Sequence, residues 1–487
     1  MTMRLERQLF EQFALLLLLV CLTTSEVPAK PVAGIPSPRQ PNIIFILADD
    51  LGWADLASYG ADLHETPNLD RMARAGVSFT QAYAMPVCSP TRAALMTGKH
   101  AARLNLTVWR ESSVDRESES RRSRNRLLPP ITAFDLDSGE VTIAEVLKSA
   151  GYLTFHVGKW HLGDATHSPE THGFDLNIGG THWGAPATFF WPFRGMFGQS
   201  REFRYVPGLG PGRDGEYLTD RFTDEAIKLI DAAGSHPFFL NLWYHNPHTP
   251  IEGKPALVKK YQRKLSPGLH HQNPDYAAMI ETLDTNVGRI LDHLRQQRLT
   301  ERTLVVFTSD NGGYIGQYKG QQVTNNAPLR SGKGSLYEGG VRVPLIVQWP
   351  GVARPGAVVE DPVVSMDLFR TFAEACGAKS DTGTDSVSLL PLIRDRGEKL
   401  EREALFFHYP HYYTTTTPVS AVRLGDWKLL EYFEDKHLEL YNLRQDPAER
   451  NDVATHEPDR TALLLERLRA WRREVDARLP SPNPAFQ

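Results

Sequence analysis

The chain has 487 residues, too many for one small core, which points to a large domain with a smaller companion. Its 41% hydrophobic and 23% charged residues are ordinary for a folded protein and exclude disorder throughout. A net charge of −4, from 54 basic against 58 acidic side chains, leaves no basic footprint for nucleic acid, so any anionic ligand must be held by local charge.

Arg4 and Arg7 precede an apolar run over residues 13–22, followed by polar residues and Val27-Pro28-Ala29. This reads as a signal peptide over residues 1–29, leading to a secreted, periplasmic or lysosome-like compartment. The run is too short for a stable membrane span, and no later segment approaches the required length. Cys21 falls in the leader, which leaves Cys88 and Cys376 in the mature chain. Val20 stands where a lipoprotein site has a small residue, so no lipidation is expected. A Pro-rich linker covers residues 30–41.

The run Asn42-Ile43-Ile44-Phe45-Ile46-Leu47-Ala48 suits a strand buried on both faces and ends in Asp49 and Asp50. Acidic residues just past such a strand are either a helix cap or part of a ligand site. In Pro86 to Gly98, Ser89 suits a helix cap, Pro90 a first turn and Gly98 a stop, placing Cys88 at a helix N-terminus. Backbone N–H groups and the dipole favour an anion there, and Arg92 returns to the same side one turn on. A lone cysteine read by itself is a buried, inert thiol.

Asn105-Leu106-Thr107 is a glycosylation sequon. Residues 110–126, dense in Arg, Glu and Ser, read as an exposed, mobile insertion, with the grip of a polyanion as the alternative. A helix over 142–150 feeds a short strand in Gly151-Tyr152-Leu153-Thr154-Phe155-His156-Val157-Gly158-Lys159-Trp160-His161. Gly158 lets the chain turn, and Lys159 and His161 point the same way if the segment stays extended, while His156 reads as structural. The aromatics of residues 182–205, among them Trp183, Trp191, Phe197 and Phe203, lack a regular period and read as a loop lining a sugar-binding cleft.

A helix over 218–232 and a strand over 238–244 lead to His245-Asn246-Pro247-His248-Thr249-Pro250, a turn stiffened by two prolines. A second buried strand, residues 304–309, ends in Asp310-Asn311-Gly312-Gly313. With Asp49 and Asp50 this makes three carboxylates and an amide oxygen at two strand ends, a hard all-oxygen cluster whose charges repel unless a cation sits between them. Glycines around Lys333 let it approach a ligand closely, and a strand over 345–348 follows. From about Cys376 short strands over 405–409 and 427–432 and a helix over 460–475 suggest a smaller α+β domain. There His408, His411, Tyr412 and Tyr413 are either cleft rim or ordinary packing.

The pattern Cys88-x-Pro90-x-Arg92 resembles the modification signature of type I sulfatases, in which the cysteine becomes Cα-formylglycine; Thr91 stands where Ser is more usual. Residues 151–161 resemble the second signature of the same family, and the acidic, His and Lys elements follow in family order. The resemblance implies an alkaline phosphatase-like α/β domain with a mixed, mainly parallel central sheet over 42–375. A smaller C-terminal α+β domain with a short antiparallel sheet over 376–487 would complete it. It further implies calcium held by Asp49, Asp50, Asp310 and Asn311 together with the formylglycine at Cys88. Arg92, Lys159, His161, His248 and Lys333 would serve catalysis, with His248 preferred to His245 as the substrate contact.

The partners implied are a formylglycine-generating enzyme and a sulfated small molecule or glycan, with aryl sulfates as artificial substrates. A disulfide would consume the nucleophile, so none is expected between Cys88 and Cys376. Two alternatives stand beside this reading: a phosphonate or phosphate ester hydrolase of the same superfamily, and a non-catalytic binder of sulfated glycan if Cys88 stays unmodified.

Overall fold

The apolar run Asn42–Ala48 forms strand β1, and all seven of its residues are buried. It lies inside a nine-stranded sheet of the computed structural model, which describes residues 40–114, 124–198, 201–379, 383–394 and 400–486. The leader over 1–29 and linker residues 30–39 lie outside the described residues, as do residues 115–123 of the charged insertion. After β1 the strands are Val77–Tyr83 (β2), Leu153–Gly158 (β3), Leu176–Ile178 (β4), Phe238–Trp243 (β5), Thr303–Ser309 (β6), Arg342–Gln348 (β7), Ala357–Val359 (β8) and Val363–Val364 (β9). Their spatial order is β8-β2-β7-β6-β1-β5-β3-β4, with β9 also on β2. Among these strands β7 alone runs against the rest, so the sheet is mixed and mainly parallel, as expected.

Side-chain alternation along β1 sorts the core into two layers. Ile43, Phe45 and Leu47 pack toward Cys88–Thr97 (α2), Ile143–Ser149 (α3) and Asp367–Ala375 (α7). Ile44, Ile46 and Ala48 face Pro67–Ala75 (α1), Leu218–Ala233 (α4) and the long Pro274–Gln296 (α6). Between α4 and α6 the helix Pro255–Lys264 (α5) covers a small outer cluster around Tyr261. Each fully buried aliphatic side chain contributes about 1.5–3 kcal/mol, so a strand apolar on both faces belongs in the middle of this sandwich.

Parallel register determines where the chain segments emerge. Ala48 is paired with Ser309, Leu47 with Trp243, and Gly158 with Trp243. Consequently Asp49, Lys159, Tyr244 and Asp310 leave four adjacent strands at one edge.

The C-terminal part is an antiparallel meander of Ala404–Tyr409 (β10), Val419–Leu424 (β11), Trp427–Tyr432 (β12) and Leu438–Asn442 (β13). One face shares a core with Tyr83 and Ala94, and the other is covered by Leu464, Leu468 and Trp471 of Pro458–Glu474 (α8). Beside the first of these faces Lys428 lies fully buried, 2.9 Å from Glu338 and 3.0 Å from Glu449. Glu338 also accepts from the Tyr83 hydroxyl at 2.7 Å. Removing the cation strands two carboxylates in a dry interior. Lys428→Met is therefore expected to cost about 3–5 kcal/mol of unfolding free energy in urea titrations, as for other broken buried pairs.

Candidate active site

Helix α2 carries the cysteine, and all ten of its residues are buried. It starts two residues earlier than a Ser89 cap would allow. Val87 is the N-cap, without a side-chain bond, and the Ser89 hydroxyl instead donates to the His161 carbonyl at 2.9 Å. Gly98 closes the helix in the left-handed region at φ 66°. Cys88 thus sits in the first turn, where N–H groups and the dipole favour negative charge.

Around its sulfur stand residues from three other segments. Lys333 Nζ lies at 3.3 Å, Asp49 Oδ1 at 3.6 Å and Asp50 Oδ1 at 3.9 Å. Asp50 takes a left-handed backbone, φ 64°, and its N–H donates to Asp310 Oδ1 at 3.1 Å. Asn311 Nδ2 donates to Asp50 Oδ1 at 2.8 Å, while Asn311 Oδ1 is buried without a partner. Among the described residues Asp49, Asp50, Cys88 and His248 place possible ligand atoms within 4.8 Å of one another.

Three cations face three carboxylates. Arg92, fully buried under the Trp243 ring, donates from Nη2 and Nε to Asp310 Oδ2 at 2.7 and 3.1 Å and from Nη1 to the Lys159 carbonyl at 3.0 Å. Lys159 Nζ meets Asp49 Oδ2 at 2.7 Å, and Lys333 Nζ meets Asp50 Oδ1 at the same distance. Burial, with Asp310 alongside, pushes the Asp49 carboxyl above the usual carboxylate range against the pull of Lys159 and Arg92. Burial acts likewise on Asp310, but Arg92 and the two lysines overcome it and hold that carboxyl low. Burial and then Asp310 push the Cys88 thiol up, so an unaltered cysteine here is a poor nucleophile.

The two site histidines are held differently. His248 Nε2 lies 3.5 Å from Asp50 Oδ2 and its Nδ1 is bonded to the Thr249 carbonyl at 2.8 Å; burial pushes it down to about 3 despite Asp50. His245 is buried with Nδ1 unpartnered and does not line the pocket described below. His161 departs from the expected extended path: its φ is 60°. Its Nε2 is 2.7 Å from Glu111 Oε2, and its Nδ1 is buried without a partner. Burial pushes His161 down to about 4 although Glu111 pulls the other way. His156 is bonded within the fold, to Asn241 and the Gly158 carbonyl.

Glu111 is the site residue that sequence reasoning passed over. It lies in the stretch expected to be an exposed insertion, whereas Arg110–Val114 is a short helix. Its carboxylate also accepts from Gly184 N at 3.1 Å, and Arg110 is tied to Asp135 at 2.6 Å. Charge density marked this stretch as solvated, and no local signal separates Glu111 from its charged neighbours.

A pocket of about 530 Å³ opens on Asp50, His248 and Lys333. The aromatic stretch supplies Met196, Phe197 and Gly198 to it, but not Trp191, which packs on the buried Phe193 at 5.6 Å between ring centroids. Opposite stand Tyr314 and Tyr318, and Tyr413 reaches in from the C-terminal part. Tyr413 lies so close that a Cβ on Gly334, at φ 88°, would meet its ring at 2.1 Å, which explains the glycine after Lys333. Of the other C-terminal candidates, His408 is bonded to Ser420, His411 to Thr107 and Tyr412 to Glu434, and none of them lines the pocket.

Fixed cations, a helix N-terminus and a set of oxygen ligands gathered around one buried atom suit hydrolysis at a tetrahedral anionic group. Residues 41–378 match the family model described as Sulfatase, and residues 332–474 match one described as N-sulphoglucosamine sulphohydrolase, C-terminal. A sulfatase of Formosa agariphila is 34% identical, with 89% of each chain covered. The N-acetylgalactosamine-6-sulfatase of Sus scrofa is 32% identical, covering 86% of this chain and 82% of the relative. Among solved structures, that of Ps i-CgsB superposes with a TM-score of 0.74 at 29% identity, covering 92% of this chain and 95% of the other. The chain belongs to the sulfatase family.

Removing the Glu111 carboxylate leaves both His161 nitrogens without a side-chain partner. Glu111→Ala is expected to lower kcat on an aryl sulfate by roughly tenfold or more, with KM little changed. Glu111→Gln keeps an acceptor and is expected to lose less.

Proposed function

We propose that this chain removes sulfate from a glycan through Cα-formylglycine at position 88 and a calcium ion. The observation that carries the reading is the placement of Cys88 at a helix N-terminus, with Lys333, Asp49 and Asp50 all within 3.9 Å of its sulfur. Asp49, Asp50, Asp310 and Asn311 would hold the calcium with residue 88. The hard oxygen donors and the unpartnered Asn311 Oδ1 fit a divalent cation, and a set of several protein oxygens suits calcium better than magnesium, which keeps more of its water. When bound, calcium would supply positive charge for the sulfate oxygens, and the hydrated aldehyde, made by a formylglycine-generating enzyme, would supply two geminal hydroxyls, one as the nucleophile toward sulfur and one whose proton is lost as the carbonyl re-forms and the C–O bond to sulfate breaks.

The chain's own side chains do the rest. Lys333 and Lys159 offset the charge of the sulfate. An arriving anion favours the protonated form of His248, opposing burial, and gives Nε2 a proton for the leaving oxygen. Glu111 fixes the His161 proton at Nε2, which leaves Nδ1 as the base that takes the hydroxyl proton during release. Arg92 holds Asp310 and the Lys159 backbone in place.

A glycan is the substrate class supported by the pocket, where the aromatic faces of Phe197, Tyr314 and Tyr413 suit a sugar ring and Gln317 and Glu252 offer polar contacts. A solved structure of Ps i-CgsB in complex with k-i-k-neocarrahexaose, at a TM-score of 0.72, supports the same class.

In a host with the maturation enzyme, the peptide spanning residue 88 is expected about 18 Da lighter than its cysteine form by mass spectrometry. Cys88→Ala is expected to abolish aryl sulfate hydrolysis with the fold intact, and the unaltered enzyme to prefer aryl sulfate over aryl phosphate. Faster turnover of the phosphate would instead make the chain a phosphate ester hydrolase. Calcium at 100 times its Kd is expected to add about 2.7 kcal/mol of stability, read as a rise in Tm that Asn311→Ala reduces.

A further inference from the structure

A second concavity, about 620 Å³ and sharing no lining residue with the first, lies between β12 and the end of α8. Four cationic side chains line it, Lys436, Arg469, Arg472 and Arg473, against the carboxylates of Glu431 and Asp476. The excess of positive charge stands out in a chain whose net charge is −4. The arginines are neighbours because positions three and four apart on a helix share a face.

Arginines in the last turn of a helix are favoured by its dipole, which explains part of this pattern. It does not explain Arg472. That residue is only 8% exposed, and its Nη1 is buried with no hydrogen-bond partner. Its Nη2 and that of Arg469 both converge on Glu431, at 2.5 and 2.7 Å, so one carboxylate serves two guanidinium groups. Leaving a buried charged donor unmet is unfavourable, a cost that an anionic oxygen would relieve. Tyr432, Phe433, Leu479 and Pro480 add apolar surface to the same walls.

We propose that this pocket is a second binding site for the glycan chain, taking a sulfated sugar unit away from the catalytic centre. The arginines would meet the sulfate bidentately, and Leu479 and Pro480 the apolar face of the ring. The choice of a sulfated glycan over other polyanions rests on the reading of the catalytic site given above; the anion site itself does not. Segment 412–413 links the two sites, with Tyr413 in the first and the Tyr412 hydroxyl accepting from the N–H of Leu127, which lines the second.

The test uses the full chain and immobilised dextran sulfate, with uncharged dextran and inorganic sulfate as controls. Lys436 and Arg473 are exposed, so the double variant Lys436→Glu with Arg473→Glu tests the site without emptying a core. It is expected to weaken dextran sulfate binding at least tenfold while leaving hydrolysis of a small aryl sulfate unchanged. The matched reversal Lys259→Glu with Arg263→Glu on α5 is expected to change binding less than twofold.

Equal losses from the two double variants, no loss from the first, or no binding by the unaltered protein would overturn the proposal. So would displacement by inorganic sulfate at the same sulfate concentration as by a sulfated oligosaccharide, which would mean an adventitious ion only. Repeating the binding on Cys88→Ala separates the two readings. A site effect that persists where the unaltered enzyme hydrolyses no sulfate ester would sink the catalytic reading alone.

Discussion

Three carboxylates held in a dry interior are the constraint on which the rest of this molecule depends. Asp49, Asp50 and Asp310 leave the ends of two adjacent strands with no solvent to screen them. Each is answered by a cation from a different part of the chain: Lys159 from the end of β3, Lys333 from the segment before β7, and Arg92 from α2. The match is even in number, yet burial, with Asp310 alongside, still holds Asp49 above the normal carboxylate range despite Lys159 beside it. A site balanced in this way is poised to take a further cation and an anionic group, and loses stability if any one partner is removed.

The fold supplies the geometry that this balance needs. Parallel register brings β1, β3, β5 and β6 to a common edge, so the charged residues meet without long loops. The buried α2 then delivers Cys88 and Arg92 from the same face one turn apart, and the C-terminal meander closes the far side through Tyr413. Thr415 adds a hydrogen bond to the Lys333 carbonyl at 2.8 Å, so the C-terminal part also holds a residue that lines the first pocket.

Much of this was legible in the residues. Continuous apolar runs over 42–48 and 304–309 gave two central strands almost to the residue, because a strand buried on both faces has no polar alternation to confuse it. The short cap chemistry was less reliable: Ser89 looked like a cap by type, but tertiary contact with the His161 carbonyl claims its hydroxyl. The extended path expected from Lys159 to His161 gives way to a left-handed turn at His161, a backbone feature that side-chain periodicity cannot reveal. Glu111 was hidden because its role comes from a contact fifty positions away in the chain. Trp191 was hidden in the opposite sense, since an aromatic in an irregular stretch can be core as readily as cleft.

The complete burial of α2 bears on the order of events in the life of the protein. Cys88 is 3% exposed, and the residues on both sides of it are packed inside the fold. An enzyme altering this cysteine, as proposed above, would have to reach a side chain that the finished fold almost closes off from outside. Its window would then be the interval between synthesis and folding. On that reading a chain that folded before it was processed would be trapped, correctly shaped and inert, unless it unfolded again.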